Sequence, residues 1–361
     1  SVGQGSSQQI LAMLSDAAAP GARAGAPRRL DRSDLPALLT LCERARLAEH
    51  GLDPRRAPAA IRTRCVERLE AGAALGLEGP QGLRAAVLLD TAGPPWIGEA
   101  PSRDEPLLLL DEFLGDPSAP AGTASAFLDA VEALLGALGV AVLRCTCPAD
   151  APALRRFWQA RGWLPRARVD PPAGPPLLLH DKRLAPLPGD RLHAALAPDV
   201  LEAPFAGQRA TLLFVVRAGR VLLIHKKRGH GAGKINGPGG KCEPGETPRA
   251  CAIREVAEEL CIDVAEPEYR AELRFVDSRG AHVHGFVYVA GDFDGTPTET
   301  EEAVPHWCDL DDLPWTRMWD DDRMWLPWVL EGEQLRAAFL VDGDRIAAAR
   351  LAFGGLEEPR A

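Results

Sequence analysis

The stretch from Gly239 to Asp263 constrains the fold most, because it predicts a glycine-rich loop that leads directly into a helix. Thr247 is a suitable N-cap, and Pro248 stands in the first turn, where its missing N–H costs nothing. Glycines around the helix entry let the backbone approach a ligand closely. They are Gly237, Gly239, Gly240 and Gly245.

Three glutamates share one face of this predicted helix. Glu255, Glu258 and Glu259 stand at positions i, i+3 and i+4, so their carboxylates project from the same side. Neighbouring like charges repel unless a cation neutralises them, and a hard divalent cation such as Mg²⁺ takes oxygen ligands. Alone, the three glutamates fit an acidic, solvated helix face better than a metal site. The glycine-rich loop beside them favours a metal and a bound phosphate instead.

Length, charge and cysteine content limit the class of protein. The chain has 361 residues and a formal net charge of −10, which suits two domains and argues against binding a nucleic acid polymer. No apolar run reaches membrane-spanning length, and the N-terminus lacks a signal-peptide pattern. We therefore expect a cytoplasmic protein with no membrane partner. The eight scattered cysteines favour buried free thiols, with Cys145 and Cys147 on one strand face.

Proline and glycine are concentrated between Val169 and Gln208, and this concentration predicts an interdomain linker. We expect a flexible lead-in at 1–27, a first domain at 28–184, the linker at 185–208, a second domain at 209–354 and a tail at 355–361. The first domain alternates helices and strands, which indicates an α/β fold with a crossover helix. The second combines hairpins with one or two helices, which indicates an α+β arrangement around a mixed sheet.

The loop and helix together resemble the Nudix box. The box runs Gly, five residues, Glu, seven residues, then Arg-Glu-apolar-any-Glu-Glu-any-Gly-apolar. The matching positions are Gly240, Glu246, Arg254, Glu255, Val256, Glu258, Glu259 and Ile262. The resemblance implies a Nudix hydrolase with an α/β/α sandwich fold. Cys261 replaces the last glycine of the box, so we expect the helix to end differently there and Cys261 to be a small buried residue.

The same resemblance implies roles for the acidic residues. Mg²⁺ or Mn²⁺ would be bound by the Gly240 carbonyl and by carboxylates. Those carboxylates belong to Glu255, Glu258, Glu259 and Glu302. Arg254 would steer a glutamate by ion pairing, and Glu246 would orient the loop. One of these glutamates, or Glu302, would deprotonate the water that attacks phosphorus, and the sequence leaves open which one.

The flanks of the box, from about Thr211 to Phe353, resemble the MutT-type branch that hydrolyses oxidised purine nucleoside triphosphates. They include "KKRGHGAGKINGPGGK" and "MWDDDRMWLP". The resemblance implies conversion of substrates such as 8-oxo-dGTP to the monophosphate and pyrophosphate, which sanitises the nucleotide pool. Methylated and unmodified purines stay open. The implied substrate-binding residues are Thr211, Lys226, Asn236, Gly239, Lys241, Trp319, Asp321 and Asp322.

These residue types suit a purine on physical grounds. Trp319 can stack on the ring, and Asn236 offers both a donor and an acceptor to its edge. Repulsion and burial should raise the pKa of one carboxyl group in the pair Asp321 and Asp322, which places a donor beside an acceptor. Trp325 is better explained as core packing.

Three positions depart from the oxidised-purine branch. His230 and Ile235 replace aromatic residues, and Asp320 replaces a proline. We therefore expect a pocket that is less aromatic on one side, with His230 adding a polar contact.

The segment from Leu107 to Pro165 resembles the Gcn5-related N-acetyltransferase (GNAT) fold. Gly122 and Ala124 match its acyl-CoA loop, whereas Ala119 replaces an Arg or Gln and Trp158 replaces a common general-acid tyrosine. The resemblance implies a GNAT-like mixed sheet with helices, and acetyl-CoA as a candidate ligand. Two alternatives stay open for the whole chain. One is an acyl-CoA-dependent N-acyltransferase with a nucleotide-sensing Nudix domain, and the other is a nucleotide-binding scaffold without turnover.

Overall fold

The structure is a computed structural model. It describes residues 26–48, 58–91, 107–172, 175–184, 199–277 and 280–359, together with residues 9, 13 and 14. The chain divides into two units, Ser1–Arg156 with Pro165–Pro186 and Phe157–Leu164 with Leu187–Ala361. Most of the expected lead-in, residues 185–198 of the expected linker and the end of the expected tail lie outside the described residues. The expected domain bounds stay predictions.

The first half of the chain forms a seven-stranded mixed sheet with helices. Its strands are β1 (Arg28–Arg29), β2 (Ala74–Gly79), β3 (Gly82–Asp90), β4 (Leu107–Gly115), β5 (Val142–Pro148), β6 (Leu164–Val169) and β7 (Leu177–Arg183). Its helices are α1 (Leu35–Ala48), α2 (Pro58–Glu70), α3 (Thr123–Ala137) and α4 (Pro152–Ala160). The strand order is β1-β2-β3-β4-β5-β7-β6. Strands β4 and β5 are parallel, and α3 is the crossover helix that the alternating pattern predicted.

The second half forms a larger sheet around the predicted loop and helix. Its strands are β8 (Gln208–Arg217), β9 (Arg220–Lys226), β10 (Ile235–Asn236), β11 (Ile262–Asp263), β12 (Glu268–Asp277), β13 (Val283–Ala290), β14 (Asp294–Gly295), β15 (Ala303–Asp309), β16 (Leu335–Asp342) and β17 (Arg345–Phe353). Its helices are α5 (Pro248–Leu260) and α6 (Asp322–Leu330). The main sheet has the order β10-β9-β8-β13-β12-β16-β17, with β15 paired to β9, and β11 and β14 form a separate two-stranded sheet. The pairs β8–β13 and β12–β16 are parallel.

Alternating side chains on β8 separate two apolar layers on this sheet. Leu213 packs in one core cluster with Val256 of α5. Phe214 points to the opposite face and packs in a second cluster with Trp325 of α6. The sheet is therefore covered by a helix on each face, and the predicted two-domain α/β class is confirmed. Among the described residues, no helix is long and apolar enough to cross a membrane.

Candidate active site

Helix α5 begins as the sequence predicts and ends differently from the prediction. The Thr247 hydroxyl accepts a hydrogen bond from the Ala250 N–H, and Pro248 follows in the first turn. At the other end Cys261 adopts the left-handed conformation with φ 56°, as the glycine of the box would. The expected change of helix ending is therefore wrong. The expected burial of Cys261 is wrong as well, because its side chain is exposed.

Arg254 is the centre of an ion-pair network that joins the loop to the helix. Its Nε and Nη2 donate to both carboxylate oxygens of Glu246, at 2.9 and 3.0 Å. Its Nη1 donates to Glu255 at 3.0 Å and to Glu258 at 3.1 Å. The hydrogen bond from Arg254 lowers the pKa of Glu246. The Glu246 carboxylate also accepts the backbone N–H of Glu243. Arg254 therefore pairs both with the loop glutamate and with glutamates of the helix, and the roles that the resemblance implies for Arg254 and Glu246 stay predictions.

Glu259 is the most deeply buried carboxylate of the helix face. Only 1 % of the residue is exposed. It accepts the N–H of Gly239 at 2.8 Å and pairs with Lys226 Nζ at 3.3 Å. Burial raises the pKa of Glu259, while Lys226 opposes that rise. The loop glycine and a lysine of β9 therefore fix Glu259 at the junction between loop and helix.

Glu255 lies against the backbone of Gly240. A Cβ atom added to Gly240 would come within 2.4 Å of the Glu255 carboxylate, so this contact requires glycine. Burial raises the pKa of Glu255, and Glu258 raises it further. The carbonyl of Gly240 accepts the N–H of Thr211 at 2.8 Å. The site thus holds two carboxylates with raised pKa values beside one backbone carbonyl.

This arrangement fits a hard divalent cation in its donor chemistry. Glu255, Glu259 and the Gly240 carbonyl supply oxygen atoms only, and a cation would relieve the cost of ionising the two partly desolvated carboxylates. Glu258 and Glu302 are more exposed, at 62 % and 44 % of their side chains, and they pair with Arg254 and Arg228. Within the described ranges, no three His, Cys, Asp or Glu residues are already gathered around one metal position.

The other predicted cluster is the carboxyl pair at the start of α6. Asp321 accepts the indole N–H of Trp325 at 2.9 Å, and Asp322 accepts the backbone N–H of Trp319 at 3.0 Å. Both are buried. Burial raises the pKa of Asp321 to about 6. Burial, and then the charge of Asp321, raises the pKa of Asp322 well above its usual range. Trp325 is core, as predicted, and its bond to Asp321 is an added role.

A loop between β9 and β10 contacts the Trp319 ring. The His230 ring stacks on it with a centroid distance of 5.0 Å and an angle of 17°. Lys234 Nζ lies 4.6 Å from the centroid of the Trp319 ring. The expected polar contact of His230 is therefore a ring stack. Ile235 is buried in the core. Sequence reasoning missed Lys234, although its place two residues before Asn236 was a usable signal.

The remaining predicted positions are on β8, on β10 and in the glycine-rich loop. Thr211 is buried and its hydroxyl donates to the Cys251 thiol at 3.3 Å. The Asn236 side chain accepts the N–H of Gly237 at 2.8 Å, which leaves its amide N–H₂ group for a ligand. Gly239 has φ 153°, and a Cβ there would lie 2.0 Å from the Thr211 carbonyl oxygen. Lys241 is exposed.

Asp320, which replaces a proline of the resembling branch, has a structural partner. Its carboxylate accepts the backbone N–H of Ile346, on β17, at 2.9 Å. Arg323 lies 4.0 Å away. Asp320 therefore ties the carboxyl-pair segment to the last hairpin.

The predicted acyl-CoA loop lies before α3. Gly122 is the N-cap with φ 85°, and Ala124 follows in the first turn, 3.1 Å from the position of a Cβ added to Gly115. Trp158, which replaces the general-acid tyrosine of the GNAT fold, is buried. Binding of acetyl-CoA by this loop stays a prediction.

The second half of the chain is similar to a known protein family. The NUDIX domain family model matches residues 207–329. An oxidized purine nucleoside triphosphate hydrolase from Danio rerio is 39% identical over 142 residues, which are 38% of this chain and 90% of that protein. The protein of the same name from Mus musculus is 41% identical over 132 residues, 36% of this chain and 83% of that protein.

A solved structure resembles the rest of the chain only weakly. It is a putative acetyltransferase from Staphylococcus aureus, 18% identical, with a TM-score of 0.34, and the match covers 44% of this chain and 98% of that one. This likeness is too low to support an argument about the first unit. The family match and the similarity to the two purine nucleotide hydrolases are stronger evidence, and the family match includes helix α5 with its glutamates. The chain therefore belongs to the Nudix family and is a Nudix pyrophosphohydrolase.

Proposed function

We propose that this enzyme hydrolyses purine nucleoside triphosphates with an oxidised base, such as 8-oxo-dGTP, to the monophosphate and pyrophosphate. The observation that carries the proposal is the buried carboxyl pair, Asp321 and Asp322, beside Trp319. Two relatives, matched over 90% and 83% of their own length, are named for the same class of substrate.

The carboxyl pair suits a purine edge because its two members differ in protonation. Burial raises the pKa of both carboxyl groups, and the charge of Asp321 raises that of Asp322 further, so the pair is disfavoured from carrying two negative charges at once. One carboxyl group then donates and the other accepts. An 8-oxo purine differs from the normal base in the donors and acceptors of its edge, so such a pair can distinguish the two. The ring of Trp319 is the stacking surface for the base.

The phosphate end of the substrate would lie along α5. We propose that Glu255, Glu259 and the Gly240 carbonyl hold Mg²⁺ or Mn²⁺, with Glu258 and Glu302 completing the ligand set. When bound, the metal neutralises charge on the phosphate chain and on the attacking oxygen. Lys226 holds Glu259 in place, and Arg254 holds Glu255, so the two carboxylates are oriented before substrate arrives.

The proposal is tested by measuring pyrophosphate release from a panel of nucleotides with Mg²⁺. The panel contains normal, 8-oxo and methylated purine triphosphates and pyrimidine triphosphates. We expect the highest kcat/KM on 8-oxo purines, a loss of turnover in Glu259→Gln, and a loss of purine preference in Asp322→Ala. Asp311→Ala, which removes an exposed carboxylate, is the matched control. No turnover of any triphosphate refutes the reaction, and full activity of Asp322→Ala refutes the base-reading assignment.

A glutamine series separates the general base from the metal ligands. Glu255, Glu258, Glu259 and Glu302 are each replaced by Gln. A ligand variant should lose Mn²⁺ affinity, whereas the base variant should lose kcat while its Mn²⁺ affinity stays close to that of the wild type. If every variant lost affinity equally, none of the four would act as a separate base.

A further inference from the structure

Two cysteine thiols meet in a small cavity of the first unit. Cys42 lies on α1 and Cys65 on α2, and their thiols share a hydrogen bond. Both line a cavity of about 20 Å³. This volume holds about one water-sized molecule, so it admits a small solute and excludes a bulky one. The other lining residues are Ile61, Arg64, Leu88, Glu112 and Leu114.

The polar wall of this cavity reaches solvent. Arg64 and Glu112 form an ion pair at 2.6 Å, and their side chains are 26 % and 18 % exposed. The thiols themselves are buried. A small polar molecule that enters beside this ion pair therefore meets the two sulfur atoms directly.

The environment of the pair also favours the reactive form of one thiol. The hydrogen bond from Cys42 lowers the pKa of Cys65, and Arg64 lowers it further, against the effects of burial and of Glu112. The thiolate is the nucleophile in cysteine chemistry.

The two other neighbouring cysteine pairs differ in this respect. Burial raises the pKa of Cys147 to about 12, and that of Cys145 rises as well. Burial likewise raises the pKa of Cys251, the partner of Cys242, to about 12. These two pairs therefore serve as internal controls for the reactivity of Cys42 and Cys65.

We propose that Cys42 and Cys65 form a peroxide-sensitive dithiol that oxidises reversibly to an intramolecular disulfide. The Cys65 thiolate attacks hydrogen peroxide, the O–O bond breaks, and Cys65 becomes a sulfenic acid as hydroxide leaves. The Cys42 thiol then attacks the sulfenic sulfur, the S–S bond forms, and water leaves. Two thiols and one peroxide give one disulfide and two waters. The bond joins α1 to α2, and a dithiol reductant reverses it.

The experiment treats the full chain with one equivalent of hydrogen peroxide, blocks remaining thiols with iodoacetamide, and maps peptides by mass spectrometry without reduction. We expect a crosslinked peptide pair that contains Cys42 and Cys65, and a fall in thiols from eight to six per chain. Dithiothreitol should restore all eight. The wild-type map is decisive by itself, so it does not depend on a variant that folds.

Three variants sharpen the result. Cys42→Ser and Cys65→Ser should each abolish the crosslink, whereas Cys145→Ser, which removes a thiol of the comparison pair, should leave it unchanged. The proposal is overturned if Cys42 and Cys65 are both alkylated after peroxide treatment. It is equally overturned if another cysteine pair forms a disulfide first, or if Cys65 is oxidised to sulfinic acid without crosslinking.

Discussion

Asp321→Asn should remove a pH-dependent cost from the folded enzyme. Burial raises the pKa of Asp321 to about 6 from an ordinary value of 3.8. This rise corresponds to about 3 kcal/mol against the ionised carboxylate in the folded state. Between about pH 4 and pH 6 the unfolded chain releases the proton while the folded chain keeps it, so stability falls as the pH rises. Above pH 6 the cost is complete.

The variant separates this effect from ordinary packing changes. Asparagine keeps an oxygen for the Trp325 indole N–H but cannot ionise, so any packing cost it causes is the same at every pH. The substitution also removes the charge that raises the pKa of Asp322, which acts in the same direction. The free energy of unfolding of Asp321→Asn, relative to wild type, should therefore be about 1 kcal/mol more favourable at pH 8 than at pH 5.

Urea denaturation at the two pH values measures this difference. Asp311→Asn is the matched control, since it makes the same chemical change at an exposed carboxyl. The same Asp321→Asn protein should lose about tenfold or more in kcat/KM on its best purine, because a hydrogen bond to a charged group is lost. If the relative stability of the variant were equal at pH 5 and pH 8, or lower at pH 8, the argument from burial would be refuted.

Three further substitutions test the surroundings of these sites. Lys234→Gln should move the acid limb of the profile of kcat/KM against pH to higher pH, because Lys234 lowers the pKa of Asp321. Lys227→Gln, which removes an ammonium that pairs with an exposed glutamate, should leave the acid limb unchanged. Cys261→Gly should raise the free energy of unfolding in urea by about 1 kcal/mol, because it relieves a left-handed conformation; a decrease would contradict this. Glu255→Gln should weaken Mn²⁺ binding, measured by calorimetry, whereas Glu266→Gln, which changes a 92 % exposed side chain outside the proposed ligand set, should not; equal losses would argue against the fit described for Glu255.

Helix α5 could be predicted because its information is local. The cap at Thr247, the proline in the first turn and the glutamate spacing all act within a few residues, and the structure places them as expected. The predicted core packing of Trp325 is confirmed, since it lies in the apolar cluster with Phe214.

The features of the site that the sequence did not predict depend on contacts between residues far apart in the chain. His230 and Lys234 lie on a loop, and only the fold brings them to the Trp319 ring. Asp320 could not be explained from its neighbours, because its partner is the backbone of Ile346. The prediction of a different helix ending at Cys261 was wrong for another reason. A local preference of about 1–2 kcal/mol against the left-handed conformation does not change the helix ending, and the Cys261 N–H donates to the Ala257 carbonyl there.

The bond from Ile346 to Asp320 connects the segment that is proposed to read the base to a remote part of the chain. The segment that is proposed to read the base is anchored at its start to the final hairpin, at 2.9 Å. Shortening that hairpin, or attaching a bulky partner to it, would therefore disturb base discrimination before it disturbs the phosphate chemistry on α5. Evolution could use the same connection in reverse, by retuning which bases are accepted through changes in β17 that leave every pocket residue untouched.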